Sequence, residues 1–204
     1  MIVIGKKSKI KKKLLAIIFT FCLLVDSSFA IEPDVFVQST VNRASKLLSE
    51  DISLEDKIKK LKLIAKDTVD IKGIGFYTLG AARKNLSDTD KAKYSELFEE
   101  YFLKSFSSRL AEYTNPEIDV FAKEVLNKNY TIVNSTLKAT SERPEIKIDW
   151  RIYTKDPNKP LIRDLIIEGL SLARTQKEEF TSVLNSNDGD INVLFKTLEE
   201  FSNK

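Results

Sequence analysis

The chain contains no histidine, and its single cysteine is Cys22. Zinc sites of the Cys or His type are thereby excluded. So are Ser-His-Asp and Cys-His nucleophilic centres. One cysteine makes no disulfide within the chain. The six glycines are scattered, and Gly73 and Gly75 are not followed by the pattern of a phosphate-binding loop. No Asp-x-Asp-x-Asp run offers an all-carboxylate metal site. The acidic pairs Glu99-Glu100, Glu178-Glu179 and Glu199-Glu200 fall in helical patterns. Adjacent helical residues diverge by ~100°, so each pair reads as a solvated face and not as a shared site. No catalytic residue, metal or cofactor is therefore expected, and the chain is not expected to be an enzyme.

Long apolar runs are equally scarce. The one candidate, Leu14 to Val25, follows six lysines between Lys6 and Lys13. It is too short for the ~20 residues of a membrane-spanning helix. Ser28-Phe29-Ala30 then places small residues where a signal peptidase reads them, so residues 1–30 are expected to be a cleaved signal peptide. Thr20-Phe21 before Cys22 is not the small-residue context of a lipoprotein cut. The six lysines and Asp26 leave with this segment, and residues 31–204 then carry a net charge of −2. No basic surplus remains for nucleic acid. Residues 31–204 suffice for a single domain with a sizeable core.

Within that domain helices come first. Pro33 opens one, with Val37, Val41, Ala44 and Leu48 as its apolar stripe. Ser53 caps a second, striped by Leu54, Ile58, Leu61 and Ala65. Ile71 to Gly80 reads as a short helix or irregular turn. Ser87 and Asp90 start the longest helix, running to about Tyr113. Tyr94, Leu97, Phe98, Tyr101, Phe102, Phe106 and Leu110 recur along it at three- and four-residue steps.

Strands follow Pro116. Ile118 and Val120 start one, and Ile132 to Thr140 is a second. Ile146, Ile148, Trp150 and Ile152 alternate along a third, and Leu161 to Leu170 is a fourth. Short connections make the sheet antiparallel. Gly169 suits a tight strand-to-helix passage, and Ser171 suits the cap of a helix to Leu184. A last helix, capped by Asp190, carries Ile191, Leu194, Leu198 and Phe201. The fold class is α+β: about four antiparallel strands, covered on one face by helices, with an apolar cavity between them.

Several of these elements resemble, in order, those of the MlaC family, also described as toluene-tolerance auxiliary proteins. The matching residues are Val69-Asp70-Ile71, Leu79-Gly80 with Arg83, Phe98 and Phe102. The strongest match is Asp164-Leu165-Ile166-Ile167-Glu168-Gly169-Leu170-Ser171-Leu172, leading to Phe180. The likeness covers nearly all of residues 31–204. Ala82, Phe106, Leu161 and Gln176-Lys177 depart from the family's usual residues.

The resemblance implies an NTF2-like cone and a periplasmic phospholipid carrier of a Gram-negative envelope. Such a carrier shuttles diacyl phospholipid between an outer-membrane lipoprotein complex and an inner-membrane MCE/ABC transporter complex, and so maintains outer-membrane lipid asymmetry. A monomer is expected. The residues expected to line the acyl chains are Phe76, Leu79, Phe98, Phe102, Phe106, Trp150, Ile152, Leu165 and Ile167. Pockets and cores share composition, so ordinary core packing is the competing reading for each. Two other functions stand beside the carrier. One is a periplasmic adaptor that binds only proteins, which needs a filled core. The other is a small NTF2-like enzyme, for which Asp149 and Asp164 are the strand acids to consider. Both acids alternate away from the apolar face, and both are expected to be exposed.

Overall fold

In a computed structural model, residues 30–141 and 143–204 are described. The expected signal peptide lies outside them except for Ala30. Among the described residues six α-helices and five strands follow in the order helices, sheet, helices.

The helix boundaries are set by local chemistry. Helix α1 is Pro33–Leu48, with Pro in its first turn, where a missing N–H costs nothing. Helix α2, Leu54–Thr68, starts at Ser53, whose hydroxyl oxygen accepts from the Asp56 amide at 3.1 Å. Helix α3, Ile71–Thr78, is capped by Asp70, and helix α4, Asp88–Ala111, by Ser87. After the sheet come α5, Leu172–Asn185, capped by Ser171, and α6, Ile191–Asn203, capped by Asp190. Such caps satisfy amides that have no partner inside the helix, each for about 1 kcal/mol.

The sheet is antiparallel in the order β1-β2-β3-β4-β5. Its strands are Ile118–Asn127, Tyr130–Leu137, Ile146–Tyr153, Leu161–Ile167 and Leu170–Ser171. The α+β expectation holds, with a short fifth strand added. The expected fourth strand stops at Ile167 because Glu168 and Gly169 both take positive φ, 48° and 83°. That is the geometry of a two-residue hairpin turn, and Leu170 returns to pair with Ile167. Gly169 thus serves a strand-to-strand turn, not the strand-to-helix passage. Strand β2 begins two residues earlier than expected. The Asn127 side chain, accepting from the Asn129 amide at 2.9 Å, turns the chain just before it.

One face of the sheet is apolar. On β2, Thr131, Val133, Ser135 and Leu137 are buried, and on β3 Ile148, Trp150 and Ile152. They join one core with Val37 and Val41 of α1, Tyr94, Phe98 and Leu103 of α4, Phe180 of α5 and Leu194 of α6. A second, smaller cluster holds Leu47 and Leu48 against Leu61 and Ala111. Leu54, expected in the α2 stripe, is exposed, because its turn lies at the helix start beyond this cluster. Strand β1 is an edge. Register shifts interrupt it at Phe121 and Leu126, and Lys123 pairs with Asp34 of α1 at 2.8 Å. Bulges and charge of this kind blunt an open edge.

Candidate functional site

Cross-strand register assembles the apolar face. Val133 lies opposite Trp150, and Ser135 opposite Ile148. On the other side of β3, Leu165 lies opposite Trp150 and Ile167 opposite Ile148. Residues directly opposed in an antiparallel pair project to the same side. Trp150 brings one polar atom into this surface. Its indole N–H donates to Ser135 Oγ at 2.8 Å, and the Ser135 hydroxyl donates to the Ile148 carbonyl at 2.9 Å. The pair is buried and satisfied, so it fixes the indole without leaving an orphan.

Helix α4 supplies the aromatic half. Its rings form a ladder: Tyr94 to Phe98 at 5.8 Å, Phe98 to Phe102 at 6.1 Å, and Phe102 stacked on Phe106 at 5.5 Å. Phe180 of α5 meets Phe98 edge-on at 6.3 Å. These spacings are those at which aromatic quadrupoles attract. Helix α3 approaches α4 closely because residue 75 is glycine. A Cβ there would stand 2.7 Å from the Phe98 ring. The Tyr94 and Thr78 hydroxyls hydrogen-bond at 2.7 Å and tie the same two helices together. Burial pushes the Tyr94 hydroxyl far above the usual tyrosine range, so it stays neutral at any physiological pH.

Of the nine residues expected to line acyl chains, Leu79, Phe98, Trp150 and Ile152 are buried in the main core. Phe76, Phe102, Phe106 and Leu165 are half-buried and pack against it. Ile167 is half-buried opposite Ile148. Sheet register, the α4 stripe and the packing of α3 therefore bring eight of them to one cluster. Two clefts open elsewhere. One, of about 600 Å³, runs along α5 past Lys177, Thr181 and Asn185. The other, of about 350 Å³, lies by Arg151, Arg163 and Tyr130. None of the nine residues lines either cleft.

The strand acids differ from expectation. Asp164 does alternate away from Leu165, but it is only 3 % exposed. The returning strand β5 and the start of α5 cover it. Its carboxylate accepts from the Ser171 hydroxyl at 2.6 Å and from the Ala173 amide at 3.0 Å. Those bonds make it an anchor for the N-terminus of α5. Asp149 is half-buried and accepts from the Asn134 side chain at 2.8 Å. A second anchor has no counterpart in the sequence reading. Asp70 accepts from the Gly73 amide at 2.9 Å and from Arg163 Nε at 2.6 Å, which joins α3 to β4. Arg163 also donates to the Tyr130 hydroxyl at 2.8 Å and lies 3.9 Å from the Tyr153 ring. Burial acts to lower its pKa, but the Asp70 hydrogen bond and charge outweigh this and hold it above the usual value. An Asp directly before a helix was the available signal for Asp70. Nothing local pairs it with a residue 93 positions away.

Solved structures show where this architecture recurs. A phospholipid-binding protein from Ralstonia solanacearum, determined in complex with a phospholipid, matches with a TM-score of 0.71 at 19% identity. The match covers 84% of this chain and 97% of that one. At that identity the likeness concerns the fold. No curated protein matches the chain. The family model of the MlaC protein matches residues 38–200, from within α1 to within α6. The chain belongs to the MlaC family.

Proposed function

We propose that this protein is a phospholipid carrier of the periplasm. In this reading residues 1–30 direct export, and the domain that follows shields acyl chains in transit between outer-membrane and inner-membrane complexes, maintaining outer-membrane lipid asymmetry. The carrying observation is the meeting of the α4 aromatic ladder with the Trp150 face of the sheet in a chain of the MlaC family. The phospholipid bound by the Ralstonia solanacearum protein of like fold supports it.

The physical need is clear. A diacyl lipid exposes ~30 methylenes, and at ~0.8 kcal/mol each their transfer from water is worth on the order of 20 kcal/mol. A carrier must cover the tails and can leave the headgroup in water. Phe76, Phe102, Phe106 and Leu165 are only half-buried and pack against the core from its edge. Leu79, Phe98 and Ile152 are closely packed, so tails reaching them must part α3 and α4 from the sheet.

That close packing favours one other reading, a protein-binding adaptor with a filled core. Mass spectrometry of an organic extract decides between them. Protein purified without detergent should carry diacyl phospholipid in near-stoichiometric amount. Well-folded protein whose extracts repeatedly hold only background lipid excludes the carrier and leaves the adaptor.

A further inference from the structure

On the sheet face that alternates away from Trp150, the cleft of about 350 Å³ is walled by Arg151, Arg163 and Tyr130. Its volume lies within the ~300–1,000 Å³ range of small-molecule sites. Two aspartates neighbour these arginines, yet both are committed to the N-termini of helices. Asp70 accepts the Gly73 amide of α3, and Asp164 accepts the Ala173 amide of α5. A helix N-terminus carries about half a positive charge. Two arginines and two helix ends against two carboxylates leave a positive surplus.

Arg151 holds that surplus. Its nearest guanidinium nitrogen is 3.6 Å from Asp164, beyond hydrogen-bonding distance. Among the described residues nothing accepts a hydrogen bond from it, and its side chain is 35% exposed. Arg163 beside it is held rigidly by Asp70, the Tyr130 hydroxyl and the Tyr153 ring. One side of the cleft is apolar instead, with Ile74, Tyr77 and Leu126. Both Tyr77 and Leu126 are exposed.

We infer that this cleft binds a phosphate-class oxyanion, with the Arg151 fork, ion-paired to Asp164 but making no hydrogen bond to it, as its main ligand and the Tyr130 hydroxyl beside it. The planar guanidinium matches two phosphate oxygens at once. The apolar wall suits the ester carbon that a phosphate mono- or diester carries. The source is either a lipid headgroup or a free phosphate ester, and both share this chemistry. None of the nine proposed acyl-chain residues lines this cleft, and the site does not depend on the carrier reading.

The test is calorimetric titration of the purified chain with inorganic phosphate, glycerol 3-phosphate and dihexanoylphosphatidic acid. Saturable binding of glycerol 3-phosphate, weakened by added salt, is expected. Arg151→Gln should weaken it roughly tenfold, the loss of one charge-assisted contact. Arg151→Lys keeps a charge beside Asp164 and should still bind several-fold more weakly, because it lacks the fork. It serves as the measurement if the Gln variant does not fold. Much tighter binding of dihexanoylphosphatidic acid assigns the site to lipid headgroups, and equal binding assigns it to free phosphate esters. Glycerol 3-phosphate has no acyl chain, so its result is separate from the fate of the carrier reading. No saturable binding of any probe, or folded Arg151 variants that bind like the wild type, overturns the inference.

Discussion

Trp150 is the only indole in the chain, so its emission reports one place. It lies on the apolar face opposite Leu165, with its N–H on Ser135. If acyl chains pack against this face, stripping the lipid should move the emission to longer wavelength, and adding phospholipid back should reverse the shift. A constant spectrum in protein shown by mass spectrometry to gain and lose lipid removes Trp150 from the lipid surface. Two neighbouring positions test the surface by charge. Phe102→Asp and Ile167→Glu place a carboxylate where acyl chains are proposed to lie, and both residues are half-buried, so the variants have room to fold. Variants with native circular dichroism should retain much less lipid in the extract. Full loading in both would mean that the chains lie elsewhere.

At the level of elements, two contacts hold helices in place. The first is the approach of α3 to α4 at Gly75. Gly75→Ala would press a methyl into the Phe98 ring, 2.7 Å from the new Cβ. Overpacking of this kind costs about 1–3 kcal/mol. The expected result is an earlier urea midpoint with an unchanged slope, and a midpoint equal to the wild type would show that the helices can separate freely. The second contact is Asp164, which fastens the start of α5 to β4. Asp164→Ala leaves the Ala173 amide and the Ser171 hydroxyl without their acceptor in a buried setting. A loss of about 2–4 kcal/mol is expected from equilibrium unfolding. An effect below about 0.5 kcal/mol, the usual range of surface changes, would contradict an anchoring role. The Asp70–Arg163 pair fastens α3 to β4 in the same way, at the residue next to Asp164. Both helices that border the 350 Å³ cleft are thus fastened to one strand.

For the whole molecule, the proposed carriage of lipid has a thermodynamic signature. A ligand that binds only the folded state stabilises it by RT ln(1 + L/Kd), with L the free ligand concentration, about 2.7 kcal/mol at a hundredfold excess over Kd. Delipidated protein should therefore melt several degrees below the loaded form, and reloading should restore the Tm. Identical melting of the two forms, with lipid content confirmed in each, would show that the bound lipid makes no net contribution to the folded state. If acyl chains reach Leu79, Phe98 and Ile152, which are almost fully buried, part of the binding energy is spent in separating them. The gain in Tm is then smaller than the buried acyl surface alone would give.

Much of the domain was legible in the residues themselves. Helix starts after Ser53, Ser87, Ser171 and Asp190 follow from capping, and the start at Pro33 from a proline in the first turn, signals that depend on three or four consecutive residues. The faces of β3 and α4 follow from alternation and from three- and four-residue steps, which are equally local. The gathering of Phe98, Trp150 and their neighbours follows once those faces must be buried together. Alternation also placed Asp164 correctly on the second face, but it could not show that Ser171 and Ala173 would close over it. That cover depends on the hairpin at Glu168-Gly169, which sends the chain back along β4. The joining of Asp70 to Arg163, and the cleft beside Arg151, likewise arise from groups far apart in the chain. The sequence determined which side chains seek water and which avoid it, because that preference belongs to each residue. Only the tertiary structure decided which polar groups meet, because an ion pair or a cleft exists only when the fold brings distant backbones within a few ångströms.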